Sequence, residues 1–179
     1  MLKILGIVAL VVLVAVAGLL IYAATKPDEF RVQRSIAIKA PPERIFALIQ
    51  DLHGWAAWSP YEKKDPAMKR TFSGAQSGKG AIYEWDGNGQ VGAGRMEILQ
   101  ASPQQIVIKL DFLKPFEGHN FAEFTLLPRA DSMTSVTWSM YGPSPFVAKI
   151  MGTIFNMDKM IGSDFEAGLQ SLKATAEKS

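Results

Sequence analysis

The sequence has no cysteine, two histidines and little net charge, and each shortage excludes a class of protein. Without cysteine the chain can form neither a disulfide nor a thiolate metal site. His53 and His119 are too few for an all-histidine metal site. The 19 Lys and Arg residues nearly balance 17 Asp and Glu residues, whereas nucleic-acid binding needs a basic stripe. We therefore expect no metal, no other cofactor and no nucleic-acid partner.

The N-terminus carries the strongest single signal, an uncharged apolar run from Ile4 to Ala24. About 21 residues would span about 31 Å as a helix, which matches the hydrocarbon core of a bilayer. Residues 1–25 are therefore predicted to be a retained single-pass membrane anchor. The alternative is a cleaved signal peptide, although the apolar run continues past the small residues Ala15 and Ala17. The flanking charges do not fix the orientation, with a slight preference for a domain outside the cytoplasm.

The remainder of the chain is predicted to form one domain over residues 30–177, after a short linker at 26–29. The pattern of apolar and polar residues predicts its strands and helices. Residues 30–38 read as a strand and 41–52 as a helix that begins with prolines. Six further segments between 68 and 142 show period-two alternation and are separated by turn residues. Apolar residues then recur at spacings of three and four from 145 to 176, which predicts one long helix. This order predicts an α+β fold in which a curved antiparallel sheet surrounds the terminal helix.

Four segments carry a resemblance to a known family: VQRSIAIKAPPERIFALIQDLHGWAAWSP, YEWDGNGQVGAGRMEI, SVTWSMYG and MDKMIGSDFEAGLQSLKATAE. With the order of elements, they resemble the START/Bet v 1-like superfamily, which has the helix-grip fold, and within it the SRPBCC or polyketide cyclase/dehydratase-like family. The resemblance implies a cavity between sheet and long helix that binds lipids, polyketides or other apolar molecules. Some members are enzymes. The apolar N-terminal run departs from the typical soluble member.

Strand parity places large apolar side chains toward the predicted helix and any cavity. The candidate ligand-binding residues are Trp58, Tyr83, Trp85, Met96, Phe112, Trp138, Met157 and Ile161. Trp85 and Trp138 are the strongest candidates, since a large ring in mid-sheet can wall a pocket. For every one of these residues the alternative is plain core packing. The two tryptophans of the segment WAAWSP are expected to cap one end of the sheet and helix, and only secondarily to form a pocket rim.

Few polar residues are candidates for catalysis or for binding a polar group of a ligand. Arg34 shares the parity of an apolar strand face and could pair with an acidic ligand, but the favoured reading is that its side chain extends outward to water. His119 lies near Glu117 and Glu123 in sequence and is expected to be solvated. The glycines of GNGQVGAG link two strands, whereas a dinucleotide site needs a strand, a loop and then a helix. No catalytic residue is predicted.

The sequence therefore favours a membrane-anchored domain that binds, and in one version transports, a hydrophobic small molecule or lipid. Two alternatives stay open. One is a polyketide cyclase/dehydratase-like enzyme, which needs polar groups inside the cavity. The other is a non-catalytic envelope module whose protein partners are unknown.

Overall fold

The computed structural model describes residues 1–178, and these form two compact units. The first unit contains residues 1–30 and 143–157, and the second contains residues 31–142 together with the chain from 158 onward. The elements are, in chain order, α1 (Leu2–Ala24), β1 (Glu29–Ile38), α2 (Pro42–Gln50), α3 (Pro60–Lys64), β2 (Lys69–Gly74), β3 (Ala81–Asp86), β4 (Ala93–Ser102), β5 (Gln105–Lys114), β6 (Gly118–Pro128), β7 (Thr134–Pro143), α4 (Phe146–Ile154) and α5 (Met157–Ala176). A 3₁₀ helix, Leu52–Ala57, joins α2 to α3.

The second unit is built on a seven-stranded sheet in the order β1-β7-β6-β5-β4-β3-β2, in which β2 to β7 pair as an antiparallel meander. The strand predicted at 30–38 and all six later strands are present. Gly92 shows why the β3–β4 loop is rich in glycine. Its φ is +63°, and a Cβ there would lie 2.2 Å from the carbonyl oxygen of Lys114. The glycines of this loop therefore allow a tight turn between β3 and β4, as their position between two strands predicts.

The helix α5 packs across the inner face of this sheet. Phe165, Leu169 and Leu172 are fully buried on one side of the helix, and the ring of Phe165 stacks on Trp138 of β7 with centroids 4.2 Å apart. Lys173 also donates a 2.8 Å hydrogen bond to the carbonyl of Ala37 on β1. The α+β helix-grip architecture predicted from the element order is confirmed.

The predicted single helix over 145–176 is wrong in one respect, because the chain breaks it into α4 and α5. Phe155 has extended backbone angles, φ −111° and ψ 135°. The β-branched residues Thr153 and Ile154 precede the break, and Asn156 precedes α5 at the position where asparagine favours helix initiation. The three-and-four spacing continues across the break, so periodicity alone does not reveal it.

The first unit contains α1 and α4, which pack against each other. Residues Lys3–Ala24 form a helix of 22 residues with a mean hydropathy of 3.2, long and apolar enough to cross a membrane, although a signal sequence has the same properties. Most of its side chains are exposed, whereas Ala23 in the last turn is fully buried.

Candidate ligand-binding site

The inner face of the sheet divides into two halves that differ in how completely they are covered. On β5, Ile106 and Ile108 are fully buried, but Leu110 and Phe112, further along the same face, are only half-buried. We call the covered part the closed half; it contains Trp55, Trp58, Phe124, Trp138 and Phe165. We call the other part the open half; it contains Trp85, Leu110, Phe112 and Asn120.

Aromatic rings fill the closed half. Trp58 is completely buried, and its ring lies 4.8 Å from that of Trp55 and 5.7 Å from that of Trp138. Trp138 in turn stacks between Phe124, at 5.0 Å, and Phe165, at 4.2 Å. Each such pair contributes about 0.5–1.5 kcal/mol beyond the burial of its surface. The two tryptophans of WAAWSP are therefore core residues.

One polar atom in the closed half has no partner. The indole nitrogens of Trp55 and Trp58 donate to the carbonyls of Ile49 and Leu48. The Nε1 of Trp138 is buried without a hydrogen-bond partner among the described residues. A buried donor without an acceptor lowers the stability of the folded state by about 1–3 kcal/mol.

The open half combines partly exposed apolar side chains with one amide. The ring of Trp85 lies edge-on to Phe112 with centroids 6.0 Å apart, and its Nε1 donates to the carbonyl of Val91 at 3.0 Å. Gly94 allows this placement, because a Cβ there would lie 2.4 Å from Cη2 of Trp85. Asn120 has the same parity on β6 as the buried Ala122 and Phe124, so its carboxamide adds donors and an acceptor to this apolar surface.

The structure places four of the eight predicted site residues on the neighbouring strands β3, β4 and β5. Tyr83 pairs with Met96 across β3 and β4, both buried, and Trp85 and Phe112 adjoin them in the open half. Trp58 and Trp138 lie in the closed half, and Ile161 is half-buried on α5. Met157 is 42% exposed at the start of α5 and belongs to the other compact unit. Whether these eight residues bind a ligand stays a prediction.

A buried carboxylate that the sequence did not reveal ties α3 to the sheet. Glu62 accepts a 2.7 Å hydrogen bond from the hydroxyl of Tyr83 and another of 2.7 Å from Nε of Arg70. Burial and the bond to Glu62 raise the pKa of Tyr83 above its ordinary range. Because both oxygens of Glu62 are already bonded to protein groups, the role of this cluster is structural: it joins α3 to β2 and β3. Its members come from three elements, so no spacing in the sequence indicates it.

Arg34 is bound by the first half of α5, so its bonds go to protein carboxylates. Its Nη2 lies 3.0 Å from Asp158 and its Nε 2.7 Å from Glu166, and the guanidinium passes over Gly162, where a Cβ would lie 2.0 Å from Nη2. The hydrogen bond from Arg34 lowers the pKa of Asp158. We call this the Arg34 clamp.

A family model described as polyketide cyclase/dehydrase and lipid transport matches residues 29–177. The chain belongs to this family. Solved structures of similar fold include a protein of Nitrosospira multiformis (19% identity, TM-score 0.59, covering 83% of this chain and 97% of that one) and one of Chromobacterium violaceum (17%, 0.59, 86% and 100%). A third is DynU16 of the dynemicin biosynthetic locus (16%, 0.58, 86% and 48%). Identities this low show the fold alone. No curated protein matches the chain.

The family's description includes cyclases, and on the sheet His119 contacts two carboxylates that could suggest acid–base chemistry. On the outer face, His119 Nδ1 lies 2.7 Å from Asp111, and its Nε2 faces Glu117 at 3.6 Å. Partial burial alone would raise the pKa of Asp111, but hydrogen bonds from Lys109 and His119 lower it. Both ring nitrogens face carboxylates, so this pair lacks the hydroxyl nucleophile of a catalytic triad. His119 is 62% exposed, as expected from sequence, but its partner Asp111 was missed. The hairpin turn at Lys114 and Pro115 was the signal that places 111 opposite 119.

Two surface clefts in the second unit contain none of the predicted ligand-binding residues. One is lined by Gln50, Asp51, His53 and Gln76, and the other by Lys39, Arg44 and Glu177 among others.

Proposed function

We propose that this family member is a membrane-anchored protein that binds a hydrophobic small molecule or lipid between the inner face of the sheet and α5. In this proposal residues 1–25 are the anchor, 26–29 the linker and 30–177 the binding domain. The observation that carries it is the open half, where large apolar side chains on the inner face stay partly exposed. The lipid-transport part of the family's description supports the same class of ligand.

The physical reason for binding is the apolar surface that Trp85, Leu110 and Phe112 leave in contact with water. Covering such surface stabilises a complex by about 25 cal/mol per Å². Ligand pockets are typically lined by apolar and aromatic groups, with a few polar atoms that fix orientation. The carboxamide of Asn120, in the open half, supplies such atoms. A ligand with an apolar body and at least one oxygen acceptor fits these features best.

In this proposal the anchor holds the binding domain at the membrane surface. In this proposal the exposed apolar side chains of α1 lie in the hydrocarbon core, whose thickness of about 30 Å suits the helix. A domain tethered by so short a linker stays close to the bilayer, where sparingly soluble apolar molecules concentrate. Binding and release would then occur without long diffusion through water.

The proposal is tested by native mass spectrometry of the full-length protein extracted from its own membranes in mild detergent. We expect a reproducible bound mass that extracts as an apolar compound. Leu110→Trp should remove it by filling the open half, whereas Leu113→Trp should retain it, because Leu113 lies on the outer face of the same strand and is 58% exposed. A clean unliganded mass in several detergents, or equal retention by both variants, would contradict the proposal.

A further inference from the structure

The helix α4 has its polar and apolar sides reversed relative to a helix on a water-soluble surface. Val147, Met151 and Ile154 follow a spacing of four and three, so they share one helix face. They are 71%, 39% and 58% exposed. Phe146 and Phe155, at the two ends, are 46% and 48% exposed. The single charged residue of the helix, Lys149, is only 9% exposed.

The buried lysine is held by the first unit itself. Its Nζ lies 2.6 Å from Oδ1 of Asp28, with side-chain exposures of 8% for Lys149 and 95% for Asp28. A lysine covered while large apolar side chains face outward is unfavourable in water, since the hydrophobic effect rewards the opposite arrangement. The arrangement is favourable where the outward-facing medium is itself apolar.

The position of α4 in the first unit identifies that medium. α4 packs against α1, and Ala23, in the last turn of α1, is fully buried. Tyr22 and Lys26 lie at the same end, with the ammonium of Lys26 2.8 Å from the hydroxyl of Tyr22. Tyrosine and lysine are typical of the boundary between acyl chains and headgroups. The ion pair of Lys149 with Asp28, which follows α1 closely in the chain, also holds α4 beside the end of the span, where a bilayer surface would be.

We propose that α4 is an interfacial helix, whose face of Val147, Met151 and Ile154 inserts into the leaflet in which α1 ends. With nine residues it extends about 14 Å, too short to cross a bilayer, so it lies along the interface in the manner of amphipathic membrane-surface helices. This inference rests on the proposed anchoring of α1. A bilayer is the occupant that continues the apolar surface of α1, and a second protein surface is the alternative that the experiment separates.

The chain has no cysteine, so single-cysteine variants can carry a nitroxide spin label without further changes. The full-length protein is reconstituted into phosphatidylcholine vesicles, and each label is tested for access to dissolved oxygen and to a water-soluble nickel chelate. Val147→Cys and Ile154→Cys report on α4, and Leu13→Cys reports on the middle of α1. Leu127→Cys, on a residue of β6 that is 55% exposed, is the matched control for an exposed apolar side chain. Unchanged circular dichroism qualifies each variant.

We expect the oxygen-to-nickel accessibility ratio at 147 and 154 to be several-fold higher than at 127, and lower than at 13, because the ratio rises toward the middle of the bilayer and an interfacial helix inserts only part of that depth. If 147 and 154 match 127 while 13 is lipid-exposed, the interfacial helix is wrong and the anchor stands. If 147 and 154 are shielded from both reagents, a protein surface covers α4 and the inference is overturned. If the label at 13 is exposed to water, the anchoring proposal itself fails.

Discussion

The closed and open halves of the inner face share strands β5 and β6 and both contain large apolar side chains, yet they differ in exposure. On β5 the run Ile106, Ile108, Leu110 and Phe112 alternates without interruption, and burial decreases along it from complete to partial. Composition therefore does not decide which residues form the core. Coverage decides it, because the aromatic cluster of Trp58, Trp138 and Phe165 covers one end of the face and leaves the other partly open. We infer that the closed half supplies stability and that the open half is free for function.

Removing a large ring from each half should give the largest difference. Trp58→Ala in the closed half should lower the free energy of unfolding by about 3–5 kcal/mol, because it leaves a cavity among rings that cannot collapse. Phe112→Ala in the open half should cost about half as much or less, because part of that ring is already solvated. Denaturant unfolding followed by near-ultraviolet circular dichroism measures both. Equal losses would remove the distinction between the halves.

Adding a single methyl group to a glycine in each half should give an intermediate effect. A Cβ on Gly168 of α5 would lie 2.6 Å from Cζ3 of Trp138 and 3.0 Å from Cδ of Pro60. Gly168→Ala should therefore cost about 1–3 kcal/mol through overpacking. Gly118 pairs with Phe112 at the open half, and a Cβ there would meet Nδ2 of Asn120 at an ordinary 3.7 Å.

Gly118→Ala is the control for this comparison, and it should be neutral or stabilising by up to about 1 kcal/mol. The same unfolding assay applies to both variants. A tolerated Gly168→Ala would show that the closed half has more free space than its ring contacts indicate.

Acid should loosen the first half of α5 by a smaller amount. The pKa of Asp158 is lowered by its hydrogen bond from Arg34, so the Arg34 clamp contributes fully above the ordinary aspartate value of about 3.9. That contribution disappears as pH falls through the lowered pKa. Amide hydrogen exchange of residues 159–166 should lose protection relative to residues 168–172 below about pH 4.

Arg34→Gln is the control for the acid effect, because it removes the cation that shifts the carboxyl. In this variant the first half of α5 should already be less protected at neutral pH, with little further change on acidification. A wild-type protein whose two segments respond equally to acid would show that the clamp does not hold α5 independently of the closed half.

Much of the fold follows from the sequence because period-two alternation is a local property. The seven strands and the inward direction of Tyr83, Met96, Phe112 and Trp138 required no knowledge of how the strands pair. The division of the inner face into halves could not be predicted, because it depends on where α5 and the 3₁₀ helix lie over the sheet. Asn120 could have been found, since it shares the parity of Ala122 and Phe124.

The features that the sequence did not reveal depend on contacts between elements, on strand register or on burial. Glu62 meets Tyr83 and Arg70 only after α3 has folded back onto β2 and β3. Asp111 meets His119 only when the β5–β6 hairpin has its register. The break between α4 and α5 is local, but the apolar spacing continues across it. That spacing concealed the reversed polarity of α4, which becomes visible only when the burial of Lys149 is known.

The most direct test of the account uses the four tryptophans as reporters of the two halves. Full-length protein labelled with 5-fluorotryptophan and held in amphipol is titrated with a nitroxide-bearing fatty acid, while the ¹⁹F resonances are followed. Trp→Phe variants assign the signals. The account predicts strong paramagnetic broadening of Trp85 in the open half, with Trp55 and Trp58 in the closed half unaffected. Equal broadening of Trp55 and Trp85, or no broadening of any resonance, would contradict the claim that the open half receives an apolar ligand.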